Sequence, residues 1–214
     1  MPCTVTVNLH HEVLPVWAEC AEKNGVAPEV LTLDFHTDVL CSCRRGVSPE
    51  TGRSVGCAAA AVAQLHHDEH FDWALRSGII SRAVIISLSG CAVMPEHPAL
   101  EVRYSEILPP VGVMLNEPEK FRDTASSVLD DSFLGPLLAD KYPHGKYILD
   151  IDCDYILCRS ALCPKKHRII DDLAEYAQLI TFSCENDWVR ILKLPGESIS
   201  GTSIAHELRT RWEK

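Results

Sequence analysis

Apolar and polar positions along the chain follow two periods. Apolar runs typical of buried strands occur at 5–9, 30–33, 83–88, 147–152 and 179–183, and a weaker one occurs at 99–104. Segments typical of helices lie at 13–20, 57–65, 71–76, 169–178 and 203–212. This order predicts an α/β fold with a mainly parallel sheet, in a single compact domain over residues 1–214.

Two segments interrupt this pattern. Residues 39–54 contain Arg44-Arg45-Gly46, Pro49 and Gly52 and predict a long loop. Residues 105–145 are broken by several prolines and predict short helices joined by loops. A long loop in a compact domain is usually functional, so the loop at 39–54 is a candidate wall of a binding site.

Side chains that can bind metals follow several of the predicted strands. Successive residues of a strand point to opposite sides, so residues two apart share one side. Parallel α/β sheets bind their ligands beyond the carboxyl ends of the strands. So many carboxylates at one edge need cations to neutralise them, which predicts one shared metal centre. Asp34, His36 and Asp38 follow one predicted strand, Asp150, Asp152 and Asp154 lie in or just after another, and His11 and Glu185 fall at further strand ends. Asp154 is left open between a supporting carboxylate and an exposed one.

Composition and charge narrow the class of protein. With 46% hydrophobic and 23% charged residues the chain should fold as a globular protein. The net charge of -10 argues against nucleic acid and is compatible with a cationic substrate. No apolar run reaches about 18 residues, and the start of the chain has no secretory pattern, so we expect neither a membrane span nor export. We therefore expect a cytoplasmic protein whose ten cysteines are thiols. The sequence leaves a monomer and a homo-oligomer both open.

The two acidic motifs resemble those of the arginase, or ureohydrolase, family. Asp34-x-His36-Thr37-Asp38 and Asp150-x-Asp152, with a histidine about two dozen residues upstream, occur in the family's order. The resemblance covers the framework from His11 to Asp152. It implies an arginase-like three-layer α/β/α fold and a centre with two Mn²⁺ per chain. The implied ligand set places His11 and Asp38 at one ion and His36 and Asp152 at the other, with Asp34 and Asp150 bridging them. His10 is then a neighbour that binds neither ion.

The resemblance also implies a reaction. Carboxylate and imidazole ligands suit manganese, and two such ions ~3.5–4 Å apart can hold a hydroxide at neutral pH. In the family this hydroxide attacks a guanidinium carbon, and a metal-bound aspartate, here Asp38, passes a proton to the departing amine. A later carboxylate, here Glu185, pairs with the guanidinium.

Departures from the family indicate a subset of it. Val39-Leu40 stand where arginases carry an asparagine that grips the free amino acid, and none of His66, His67 and His70 is a clear proton shuttle. The chain is also shorter than usual arginases. It resembles the compact peptide arginases, which convert arginine side chains in a ribosomally made precursor peptide to ornithine and release urea. The implied partner is an arginine-containing precursor peptide, bound in an open groove.

Four alternatives remain open from the sequence. One is a hydrolase of a free small guanidine, like arginase or agmatinase. Another is a zinc deacetylase of the same fold, which uses one metal and fewer ligands. Asp152-Cys153-Asp154 also resembles the motif of haloacid-dehalogenase phosphatases, whose first aspartate is a nucleophile. The last is a non-catalytic, metal-stabilised binding protein.

Overall fold

Six parallel strands form one sheet in the computed structural model, which describes residues 2–47, 52–90, 93–105, 116–138 and 146–213. The spatial order is β1-β6-β5-β2-β3-β4, and every neighbouring pair is parallel. This confirms the predicted parallel sheet. The strands are β1 (Cys3–Val7), β2 (Glu29–Asp34), β3 (Arg82–Ser87), β4 (Leu100–Tyr104), β5 (Tyr147–Asp152) and β6 (Leu179–Ser183).

Helices cover both faces of this sheet and complete three layers. On one face lie α1 (Leu14–Asn24), α2 (Val55–Val62) and α3 (His70–Ser77). On the other lie α4 (Pro118–Ser126), α5 (Asp131–Leu138), α6 (Arg168–Tyr176), α7 (Asn186–Leu192) and α8 (Gly201–Trp212). The α/β/α fold predicted from the sequence is therefore confirmed.

Two hydrophobic cores, one on each face of the sheet, explain why the strands are nearly continuous apolar runs in the sequence. Leu31 and Leu33 of β2 point into the core under α4–α8, and Val30 points into the core under α1–α3. A strand that is buried on both faces needs apolar residues at nearly every position. The alternation changes only near the carboxyl ends, where Thr32 and Asp34 are buried and polar on the α1–α3 face.

The strand order places a topological switch point between β2 and β5. From β2 the chain continues outward to β3 and β4, whereas from β5 it continues in the opposite direction to β6. Crevices at such points, beyond the carboxyl ends of the strands, are the usual ligand sites of open α/β sheets. Asp34 ends β2 and Asp152 ends β5, so the two acidic motifs meet at this crevice.

Some elements differ from the sequence prediction. Helix α7 was not predicted, because it has only seven residues and opens with the polar pair Asn186-Asp187. The segment 39–54 contains a short 3-10 turn, Ser42–Arg45, and its residues 48–51 lie outside the described part of the chain. The segment 105–145 contains α4 and α5 as short helices, as expected, but 106–115 and 139–145 lie outside the described residues.

Two further expectations concern thiols and membranes. The nine cysteines within the described ranges are free of disulfides. No helix in those ranges combines the length and the apolar content needed to cross a membrane.

Candidate metal centre

Asp150 lies inside the sheet, in a row of polar side chains that crosses three strands. Thr32 of β2 and Thr181 of β6 are its register neighbours, and all three share the face under α1–α3. Both threonine hydroxyls donate to the Asp150 carboxylate. A third contact joins Asp150 Oδ2 to His10 Nε2 at 2.7 Å. The fully buried Asp150 carboxylate is therefore held by neutral groups and fixes the orientation of one imidazole.

His10 directs its other ring nitrogen at three carboxylates. Its Nδ1 atom lies 3.1 Å from Asp38 Oδ2, 3.1 Å from Asp152 Oδ2 and 3.6 Å from Asp34 Oδ2. The side chain is 1% exposed. Ligands of one small ion are spaced in this way, and an imidazole held from behind by a carboxylate is the usual arrangement of a metal-binding histidine.

A second group lies on the other side of Asp34. His36 Nδ1 is 3.0 Å from Asp154 Oδ2 and 4.0 Å from Asp34 Oδ1. Asp154 reaches this position because the chain turns into a 3-10 helix, Cys153–Tyr155, directly after β5. Its Oδ1 atom accepts a hydrogen bond from Phe35 N, which ties the two acidic segments together. Asp34 thus belongs to both groups.

The chemistry of these residues fits divalent cations. Asp34, Asp38, Asp152 and Asp154 are all buried, and in the described part of the chain their ion pairs are with histidines only. Asp34 Oδ2 is buried without a hydrogen-bond partner. Burying so many carboxylates is costly unless cations compensate them. The oxygen and nitrogen donors suit a hard or borderline ion such as Mn²⁺.

Burial and neighbouring charges shift the pKa values of Asp34, Asp152 and His10. Burial, and then the neighbouring carboxylates, raises the pKa of Asp34 and Asp152 well above the usual range for an aspartate. For His10, burial works to lower the pKa, but the adjacent Asp150 and Asp152 outweigh it, and the pKa is raised well above its ordinary value. Without metal, the folded protein therefore retains protons that a cation must displace.

Competition between protons and metal ions predicts that the stabilities of the metal-free and metal-loaded forms depend on pH in opposite directions. A carboxyl group with a raised pKa in the folded protein costs stability as pH rises above its pKa in the unfolded chain. The stability that protonated His10 contributes is lost as pH rises through its raised pKa. We expect the melting temperature of the metal-free protein to fall from about pH 6 to about pH 8, whereas that of the Mn²⁺-loaded protein rises, because proton displacement becomes easier. Calorimetry of both forms checks this, and parallel slopes would contradict it.

The two adjacent histidines, of which His11 is the expected ligand, have different surroundings. His11 is half-buried, its Nδ1 atom is buried without a hydrogen-bond partner, and it forms no ion pair among the described residues. His10 is the one that lies among the carboxylates. The chain leaves β1 at Val7 and forms a 3-10 turn, His10–Val13, which turns the first histidine inward.

The three aspartates of the second acidic motif lie at two depths. At the carboxyl edge, Asp152 adjoins His10 and Asp154 adjoins His36. Asp150 lies one row deeper in the sheet and holds His10. The geometry thus favours Asp152 over Asp150 as the carboxylate shared with Asp34. The ligand roles of His11, Asp34, His36, Asp38, Asp150 and Asp152 stay predictions.

The side chains of the first acidic motif do not come together by strand alternation. Strand β2 ends at Asp34, and the chain then bends. His36 N donates to Asp34 Oδ1, and Asp38 adopts a left-handed conformation with φ of 44°. This conformation is uncommon for a residue other than glycine, and such strain is characteristic of functional sites.

Glu185 also has a left-handed backbone conformation and lies at the carboxyl edge of the sheet. Its φ is 40°, it caps the start of α7, and its side chain is 5% exposed. The Oε1 atom accepts a hydrogen bond of 2.7 Å from His10 N. Burial raises the pKa of Glu185, opposed by the hydrogen bond from His10. The residue predicted to pair with a guanidinium therefore adjoins the candidate ligands and supports the turn that carries His10.

Two residues near the centre were not predicted from the sequence. His70, which the sequence did not distinguish from His66 and His67, is the first residue of α3 and fully buried, with its ring centroid 4.4 Å from that of His10. Burial, and then His10, lowers its pKa well below the ordinary value. The available signal was that His70 lies next to the aromatic residues Phe71 and Trp73 in one short helix. Trp188 of α7 lies 4.9 Å from His36 between ring centroids.

A groove of about 210 Å³ opens beside the candidate ligands. His36 to Leu40 form one wall, and His67, Asp68, Ser89 and Val93 complete it. None of these residues is a lysine or an arginine. A larger cavity, of about 280 Å³, lies at the opposite end of the sheet, near Cys3, Lys23 and Lys146. It lies far from the buried carboxylates, so we assign the site to the smaller groove.

Comparison with known proteins identifies the fold. No protein-family model and no curated protein matches the chain. Among solved structures, proclavaminate amidino hydrolase from Streptomyces clavuligerus superposes with a TM-score of 0.51 at 13% identity, over 98% of this chain and 61% of that one. A hypothetical agmatinase from Burkholderia thailandensis gives a TM-score of 0.47 at 14% identity, over 99% and 59%. The chain thus has the arginase-like α/β fold of the amidino hydrolase and spans about three fifths of its length.

Proposed function

We propose that the protein is a metal-dependent hydrolase that converts arginine side chains of a peptide to ornithine and releases urea. The observation that carries this proposal is the cluster of buried aspartates and histidines at the switch point between β2 and β5, which has no lysine or arginine partner among its described ion pairs. The likeness of the fold to an amidino hydrolase supports the same reaction class.

The residues fit two divalent cations, for which Mn²⁺ is our proposal. One would be held by His10 and Asp38 and the other by His36 and Asp154, with Asp34 and Asp152 shared. Such ions supply Lewis acidity and a water molecule that ionises near neutral pH.

The side chains of this chain would bind the substrate and move its protons. Glu185 is a buried carboxylate at the site and would pair with the guanidinium, whose charge persists at neutral pH. When the C–O bond to water forms and the C–N bond breaks, both water protons leave the oxygen, which becomes the carbonyl oxygen of urea. One goes to solvent when the water ionises and the other must pass to the departing amine, which takes up a further proton from solvent and leaves as an ammonium group. Asp38 lines the groove and lies beside His10, so its carboxylate is placed to accept the second water proton and pass it to the amine.

The lining of the groove supports a substrate without a free carboxylate. A free amino acid carries a carboxylate that a lysine, an arginine or an amide would bind, and the described lining offers none of these. An arginine inside a peptide has no such group. A small decarboxylated guanidine also lacks it, so the runner-up is an agmatinase-like reaction.

Incubation of the Mn²⁺-loaded protein with substrates tests the proposal. We expect an internal-arginine peptide to lose the mass of one cyanamide per arginine, which is urea released less water consumed, and to release urea. Free arginine should react far more slowly. Asp34→Asn should abolish the reaction, because a shared carboxylate is lost, whereas Asp187→Asn, at an exposed side chain, should not. Urea from agmatine alone would favour the runner-up, and no urea from any guanidine with both metals bound would overturn the proposal.

A further inference from the structure

Trp188 lies beside the candidate metal centre without belonging to the metal ligands. It lies in the first turn of α7, three residues after Glu185, which precedes the helix. Its ring meets that of His36 edge-on, with centroids 4.9 Å apart, and lies 6.2 Å from the ring of His67. His36 and His67 both line the groove. The indole therefore lies next to two residues that line the groove.

The indole of Trp188 is only partly buried. Part of it packs against the core under α4–α8, which holds the ring in place, and the residue as a whole is only half-buried. A core tryptophan such as Trp17 or Trp73 is fully buried instead. An anchored, partly exposed ring beside a groove can contact a ligand at little cost in conformational entropy.

The surrounding charges favour a cationic ligand at this ring. Asp38, Asp154 and Glu185 lie at the same edge of the sheet, and the described groove lining has no lysine or arginine that would repel a guanidinium. A guanidinium over an indole face gains a cation–π attraction of about 0.5–2 kcal/mol. Carboxylates and an aromatic face together select a planar cation over a neutral group of the same shape.

We propose that Trp188 is a specificity-determining residue whose indole face receives the guanidinium side chain and selects it over neutral analogues. This inference rests on the proposed guanidine hydrolase and names how that site recognises its substrate. Trp188 acts in binding, and it takes no part in bond breaking. The effect of removing it should therefore fall on KM and leave kcat nearly unchanged.

Kinetics of the Mn²⁺-loaded protein with Nα-acetylarginine N-methylamide give one test. Trp188→Leu should raise KM about tenfold and leave kcat within about threefold, whereas Trp188→Phe, which keeps an aromatic face and the core contact, should keep KM within about threefold. Inhibition by the neutral Nα-acetylcitrulline N-methylamide should not change in Trp188→Leu. An unchanged KM, or equal weakening toward the arginine and citrulline compounds, would overturn the proposal.

Stopped-flow fluorescence gives a second test that needs no turnover. Mixing with the arginine compound should quench tryptophan emission saturably before any urea forms. Trp188→Phe should remove this quench. Trp212→Phe, the same substitution at a ring that packs on Phe182, should keep it. If no guanidine is hydrolysed but the quench depends on Trp188, the proposed reaction fails and the assigned contact stands. A quench that survives in Trp188→Phe overturns the contact.

Discussion

His10→Ala should remove metal binding, whereas His11→Ala should leave it nearly unchanged. The Nδ1 atom of His10 faces Asp34, Asp38 and Asp152, and its Nε2 atom is fixed by Asp150. Loss of a group that only orients a metal ligand costs about 10–100-fold in affinity, so loss of the ligand itself should cost at least about 100-fold. Titration of each purified variant with Mn²⁺ measures the difference.

The two neighbours serve as matched controls for each other. They are adjacent, of the same type, and differ in which one the 3-10 turn directs at the carboxylates. His10→Asn and His11→Asn extend the pair with a polar side chain in place of the imidazole. The opposite result, with binding lost in His11→Ala and kept in His10→Ala, would restore the ligand set expected from the motif spacing and contradict the geometry.

Gly201→Ala should be among the most destabilising single substitutions in the chain. An added methyl group at Gly201 would lie 1.6 Å from Cys184 O and 2.5 Å from Cys184 C, which are backbone atoms at the end of β6. Helix α8 must therefore move away from the strand end that precedes Glu185. We expect a loss of about 3 kcal/mol or more in the free energy of unfolding, measured by urea denaturation.

Gly56→Ala is the matched control for this substitution. Its added methyl group meets nothing nearer than Ser54 Oγ at 4.0 Å, and Gly56 lies within α2. Alanine is favoured over glycine inside a helix by about 0.5–1 kcal/mol, so this variant should be as stable as the wild type or more so. If Gly201→Ala matched the stability of Gly56→Ala, the close approach of α8 to β6 would be wrong.

The sheet was predictable because its strands are buried on both faces. The run 83–88 is apolar at every position but Ser87 and is rich in valine and isoleucine, which favour strands. Helix α7 was not predictable by the same reasoning. It is two turns long, it begins with Asn186-Asp187, and its packing against the core depends on residues far away in sequence.

The strand ends that carry the site were predictable, whereas the choice of ligands among neighbouring residues stays a prediction. The acidic motifs were correctly expected at strand ends that meet, since the carboxyl ends of parallel strands share one edge. Deciding whether Asp150 or Asp152 is the carboxylate shared with Asp34 needs the register, which places Asp150 level with Thr32 and Thr181, one row below the carboxyl edge. Choosing between His10 and His11 needs the turn after β1, which a period of two or of 3.6 residues does not describe.

Crystals grown with Mn²⁺, with diffraction data collected at the manganese absorption edge, would show directly whether these buried side chains bind two ions. We predict two anomalous peaks per chain, one bounded by His10 and Asp38 and the other by His36 and Asp154, with Asp34 and Asp152 between them. No peak at these side chains, or a single peak bounded by His11, would contradict it.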